Sequence, residues 1–167
     1  MALRKNVLVV ANVTAASDEL CHDLSERAER EPAAFTLVVP ATHASGGRAA
    51  AQETLTRALE RLHEAGIEAD GTVGHSDPMV AVSDVWDPRR YDEIIISTLP
   101  MGSSRWLHAG LPERIFKLTG AKVSHIISTP PKPPVPTVPA PHHEHAALGP
   151  LSVLGWGGPH AEARARP

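Results

Sequence analysis

The chain has 167 residues, a formal net charge of −3 and a single cysteine, Cys21. That length suits one domain with a sizeable core, and the mild negative charge with scattered basic residues argues against a nucleic-acid binder. One cysteine excludes an intramolecular disulfide, and no apolar run is long enough to span a membrane.

Met1–Asn6 leads straight into a strand with no long apolar stretch ahead of it, so a secretory signal is not expected and a cytoplasmic location is. Val7–Ala11 is an unbroken apolar run, the pattern of a strand covered on both faces. Ser17 and Asp18 then open a helix whose stripe is Leu20, Cys21, Leu24 and Ala28, on which Cys21 reads as a small buried hydrophobe. Phe35–Val39 is a second strand, ended by Pro40, and Ala44–Gly47 reads as a flexible loop. The clearest helix follows, with Leu55, Ala58, Leu59 and Leu62 on one face and Gly66 as its terminator. Ile67–Val73 is a weaker strand. Asp77-Pro78 pairs an N-cap with a first-turn proline and opens a short helix, Val82, Val85 and Trp86 facing inward, that stops at Asp87-Pro88. Asp92–Ser97 is the fourth strand, and its leading Asp92 and Glu93 read as a solvated edge. A helix from near Pro112 to Gly120 and a last strand, Lys122–Ile127, complete the series.

Strands alternating with helices in this way predict an α/β fold: a doubly wound five-stranded parallel sheet, the first strand central, with helices on both faces. Such sheets bind ligands at the carboxyl ends of their strands, where strand order reverses. Asn12, Pro40–Thr42 and Thr98–Arg105 are expected to converge there. The Thr98–Arg105 loop is small, polar and rich in donors, and it joins a strand to a helix start, a geometry that holds phosphate. The candidate ligands are Thr98, the amides of Gly102 to Ser104, the hydroxyl of Ser103 or Ser104, the Arg105 guanidinium and the amides near Gly110. An ordinary strand-to-helix connection has the same outline, and Arg105 serves equally well in a surface ion pair. Ser103 or Ser104 with His108 lacks a carboxylate to orient the histidine, so His108 reads as solvated rather than as a catalytic base. Trp106 packs against a neighbouring helix.

Val123–Ile127 is short, apolar and placed at the sheet edge, which predicts a homodimer through self-pairing across a twofold axis. His125 on that strand faces either the interface or an ordinary strand environment. Residues 1–128 make the domain. Residues 129–167 read as a Pro/His/Gly-rich flexible tail, opening on Pro130-Pro131-Lys132-Pro133-Pro134-Val135-Pro136, which favours polyproline conformation. His142-His143-Glu144-His145 has metal-binding residue types, but three histidines in a flexible segment do not define a site and no metal is assigned. Leu148–Trp156 has enough apolar side chains to dock onto the domain or a partner.

Val7–Thr14 at the start, Ser97-Thr98 through Leu111–Ile115, and Val123–Ile127 at the end together resemble the universal stress protein family over residues 6–128. The resemblance implies an adenine nucleotide alpha hydrolase-like fold and a homodimer joined along the last strand. It also implies a stress-response-type regulatory domain that binds ATP or another adenine nucleotide with Mg²⁺, and at most slow hydrolysis. ATP-binding members carry an aspartate where this chain has Asn12. They also carry a glycine-spaced signature after the fourth strand, whose places fall here on Ile96, Leu99 and Ala109, with Gly110 beside the last. Gly102, Ser103, Ser104 and Arg105 keep the expected character. Glycines in that signature let backbone approach phosphates closely, so their loss favours a smaller or differently posed phosphate-containing ligand. A dimeric interaction module with a vestigial pocket is the alternative function, with neither nucleic acid nor membrane as partner.

Overall fold

The structure, a computed structural model, describes residues 3–130. The expectations for the polyproline run, the histidine cluster and Leu148–Trp156 lie outside the described residues. Five strands, β1 (Lys5–Val10), β2 (Ala33–Pro40), β3 (Ala69–Gly74), β4 (Glu93–Thr98) and β5 (Lys122–Ile127), form one sheet in the order β3-β2-β1-β4-β5. Every pairing is parallel and β1 is central. The helices are α1 (Asp18–Arg30), α2 (Gly47–Glu64), α3 (Pro78–Val85), α4 (Arg105–His108) and α5 (Leu111–Thr119).

Alternation along β1 divides the core. Val7 and Val9 point to the face covered by α1 and α2, where Leu20, Leu24, Leu55 and Leu62 are buried. Leu8 and Val10 point to the other face, against Ala81 and Val82 of α3 and Leu111 and Ile115 of α5. Both faces of β1 and β4 are therefore dry, which is why their sequences are continuous apolar runs rather than alternating ones. The helix starts are those expected: Ser17 Oγ accepts from the Leu20 amide at 3.2 Å, and Asp77 Oδ1 accepts from the Met79 amide at 2.8 Å ahead of Pro78.

Several local expectations are corrected. β2 runs through Pro40 instead of ending before it, since a proline at the last strand position need not donate to the ladder. The third strand begins at Ala69, with Ile67 buried just ahead of it. Ala44–Gly47 is not a loose loop: His43–Ser45 form a 3₁₀ turn, and Gly46 at φ 90° supplies the left-handed residue that turns the chain into α2. An extra helical turn, α4, sits inside the loop after β4, capped by Ser104 Oγ on the Leu107 amide at 3.3 Å. Within α3, Ala81 and Val82 are fully buried while Val85 and Trp86 pack at the margin, and Cys21 is half-buried against the α1–α2 core.

Glu93 departs furthest from expectation. It is not on a solvated edge but 3 % exposed, held by Arg27 Nη1 at 2.7 Å, Ser124 Oγ at 2.6 Å and Lys122 Nζ at 3.3 Å. Burial raises its pKa, but the Ser124 hydroxyl and the Arg27 and Lys122 charges outweigh burial and hold the carboxyl below its ordinary value. Asp92, by contrast, is exposed and accepts the Asn6 amide at 2.9 Å.

Candidate functional site

The chain leaves β1 at Ala11, whose amide donates to the Val38 carbonyl at 3.2 Å, and turns at Asn12, which accepts the Ala15 amide at 2.9 Å. β1 and β4 lie side by side but their connections leave in opposite directions, so a crevice opens between the loops that follow them. Buried hydroxyls knit these loops. Ser97 Oγ donates to Thr14 Oγ1 at 2.9 Å, Thr14 donates to the Ser97 carbonyl at 3.1 Å, and Ser128 Oγ lies 3.0 Å from Ser97 Oγ. On the β2 side of the crevice, Asn12 Nδ2 donates to both Thr42 Oγ1 and Ser45 Oγ at 2.9 Å, and Thr42 Oγ1 donates to Ser45 Oγ at 2.9 Å. Ser45 thus accepts twice, leaving its own proton to aim elsewhere.

These groups line a cavity of about 460 Å³ together with Thr98, Ser103, Ser104, Arg105 and Trp106. That volume is within the range of small-molecule sites. Arg105 is the one charged side chain on the lining, and it makes no ion pair among the described residues. Hydroxyls, a carboxamide and a single guanidinium favour an anionic, hydrogen-bonding occupant. The lining holds no carboxylate. It therefore does not fit a protein-held Mg²⁺, a hard cation that prefers carboxylate oxygens.

Of the residues singled out from the sequence, Asn12, Thr98, Ser103, Ser104 and Arg105 come together on this cavity, while Gly102 and Gly110 do not line it. Three of the expected amides are also engaged. Those of Ser103 and Ser104 both donate to the Pro100 carbonyl, at 2.8 and 3.0 Å, and the Gly110 amide donates to Leu107 at 3.0 Å. A turn that closes on itself spends these amides internally, which shifts the work of holding a phosphate toward side chains. Thr42 lines the cavity as expected, whereas Thr14, Ser45 and Ser97 are lining residues that a loop-by-loop reading passes over, the available signal being hydroxyls close to the ends of strands otherwise made of branched apolar residues. Behind the cavity, Thr98 Oγ1 lies 2.9 Å from the Leu99 carbonyl oxygen and 2.7 Å from His125 Nε2. Burial lowers the His125 pKa, with Glu113 opposing it.

Known proteins give the fold a name. No family model matches the chain, and no curated protein matches it. Solved structures do. A universal stress protein in complex with cAMP superposes with a TM-score of 0.54 at 16 % identity, over 77 % of this chain and 100 % of that one. The universal stress protein of Archaeoglobus fulgidus in complex with dAMP gives 0.54 at 16 % identity, over 75 % and 99 % of the two chains. A universal stress protein family protein of Arabidopsis thaliana with AMP bound gives 0.51 at 14 % identity, over 75 % and 92 %. The chain has the universal stress protein fold. Among the described residues no helix is long and apolar enough to cross a membrane.

Proposed function

We propose that this chain is a divergent universal stress protein that binds an adenine nucleotide, or another small ligand with a phosphate, in the cavity between the β1 and β4 loops. The observation that carries this reading is the convergence of a lone guanidinium with a ring of hydroxyls at the switch point of the sheet. Arg105 and the hydroxyls of Ser103 and Ser104 take the phosphate, and Asn12 and Thr98, with the proton left on Ser45, take hydroxyls of the sugar. Nucleotide complexes of other proteins with this fold, with cAMP, dAMP and AMP, support the ligand class. The cavity offers neither a carboxylate nor a histidine as general base, so it binds and reports rather than turning over. Stress adaptation in the cytoplasm is the setting that fits this reading.

Thermal-shift and calorimetric titration with AMP, cAMP, ADP and ATP, each with and without Mg²⁺, tests it. AMP or cAMP should stabilise the protein without Mg²⁺, because a ligand that binds only the folded state must raise its stability. Arg105→Ala should cost about 1.5–3 kcal/mol of binding if a charge-assisted hydrogen bond is lost. No response to any nucleotide ends this reading.

A second reading, a dimeric interaction module, rests on the far side of the sheet. β5 is an edge strand, and Phe116, Leu118 and Ile127 nearby are 55, 52 and 56 % exposed. Self-pairing of Val123–Ile127 across a twofold axis would cover them and serves either function.

A further inference from the structure

His125 stands between the crevice cavity and the outside of the sheet. It pairs with Ile96 of β4, and Thr98 lies two residues further on, so both side chains leave the same face. That register brings His125 Nε2 to 2.7 Å from Thr98 Oγ1, and Thr98 lines the cavity. The imidazole also borders a groove of about 540 Å³ between α5 and β5. His125 is exposed there, while Thr98 is 2 % exposed.

Thr98 Oγ1 carries one proton and has two neighbours, the Leu99 carbonyl at 2.9 Å and the imidazole. The carbonyl only accepts. A neutral imidazole accepts or donates at Nε2 according to its tautomer, so the hydroxyl proton has two places to go. An imidazolium donates at both nitrogens. Once His125 is charged, Thr98 must accept from it, and the hydroxyl proton turns to Leu99 or to an occupant of the cavity. Charge acts in the same direction. Arg105 is the one charged side chain on the lining, and a protonated His125 sets a second cation one threonine behind it. The charged groups that face the ring are Glu113 and Lys117 of α5 and Lys122 of β5, while Ile96 and Thr98 of β4 carry no charge. Partial burial disfavours the charged ring and Glu113 favours it.

We infer that His125 is a positioning residue for the nucleotide cavity, acting through Thr98 so that the cavity holds an anion more tightly when the ring is protonated. This rests on the nucleotide reading above. By reciprocity, a bound anion must hold the His125 proton more firmly.

The test titrates the full chain with cAMP from about pH 5.5 to pH 8, where an imidazole changes charge. A cyclic phosphodiester keeps its single charge over that range, whereas the phosphate of AMP ionises near about pH 6 and brings a pH dependence of its own. Affinity measured by calorimetry should rise about three- to tenfold as pH falls through the His125 midpoint, a modest factor because the ring faces solvent. NMR of the imidazole Cε1 protons follows the same residue, its signal assigned by its loss in His125→Gln. Saturation with cAMP should raise that midpoint by the logarithm of the same factor. His125→Gln keeps a neutral donor for Thr98 and should bind cAMP with one affinity across the range. Thr98→Val removes the link and should flatten the profile as well. Three outcomes overturn the inference and leave the nucleotide reading in place: a pH-independent wild type, a His125 midpoint unmoved by cAMP, or a wild-type profile in either variant. Failure of both cAMP and AMP to bind at any pH overturns both.

Discussion

Glu93 shows what one side chain can do when a parallel strand begins on a charge. Its carboxylate is removed from water and held by Arg27 and Ser124, while Arg27 also reaches Asp23 at 2.6 Å. Removing one partner of such a pair strands the other. Glu93→Ala should therefore cost about 3 kcal/mol, the low end for a buried pair because Arg27 keeps Asp23. Urea unfolding checks it, and a loss under 1 kcal/mol would show the cluster to be energetically idle. The pH dependence follows from the depressed pKa of Glu93. The unfolded chain takes up a proton near the ordinary value of about 4.3, while the folded protein resists until lower pH. Its contribution is thus complete above that value and lost as pH falls through the folded one. Glu93→Gln should flatten this acid limb of stability against pH. The local sequence hid this role, because an acidic residue opening a strand looks the same solvated or buried. The cation that buries it comes from α1, 66 residues away along the chain.

Among the elements, the strands were legible because β-branched runs permit little else, and the helices because caps and stripes agreed with one another. What stayed illegible was the short-range turn chemistry: α4, the 3₁₀ turn at His43–Ser45 and the Pro100 turn that consumes two amides. Such turns are chosen by hydrogen bonds a few residues long, which hydrophobic periodicity does not report. The packing of α3 on β3 is similarly set by contact. Gly74 has no room for a methyl beside Ala81, so Gly74→Ala should push α3 outward and cost about 1–3 kcal/mol. Chemical denaturation measures this, and an unchanged midpoint would mean that α3 is free to shift. At the far edge, Ile127→Lys places a charge on β5 where self-pairing is proposed. Light scattering should then show a monomer where the wild type is a dimer; a monomeric wild type at high concentration removes the dimer.

For the whole molecule, the candidate cavity follows from the topology, because the strand-order reversal opens it at the carboxyl ends of the sheet. The central place of β1 has another consequence, in the time domain of synthesis. Its neighbour on one side is β2, made soon after it, but Asn6 meets Asp92 from 86 residues further along. At about 5–20 residues per second, a ribosome needs roughly 4–17 s to supply that partner. Throughout that interval the nascent chain carries the central strand, whose Val7–Val10 are wholly buried in the finished fold, with one side unpaired. Arrested chains that end before β4 should be cut readily by protease and held by chaperones, and chains that extend past β4 should resist.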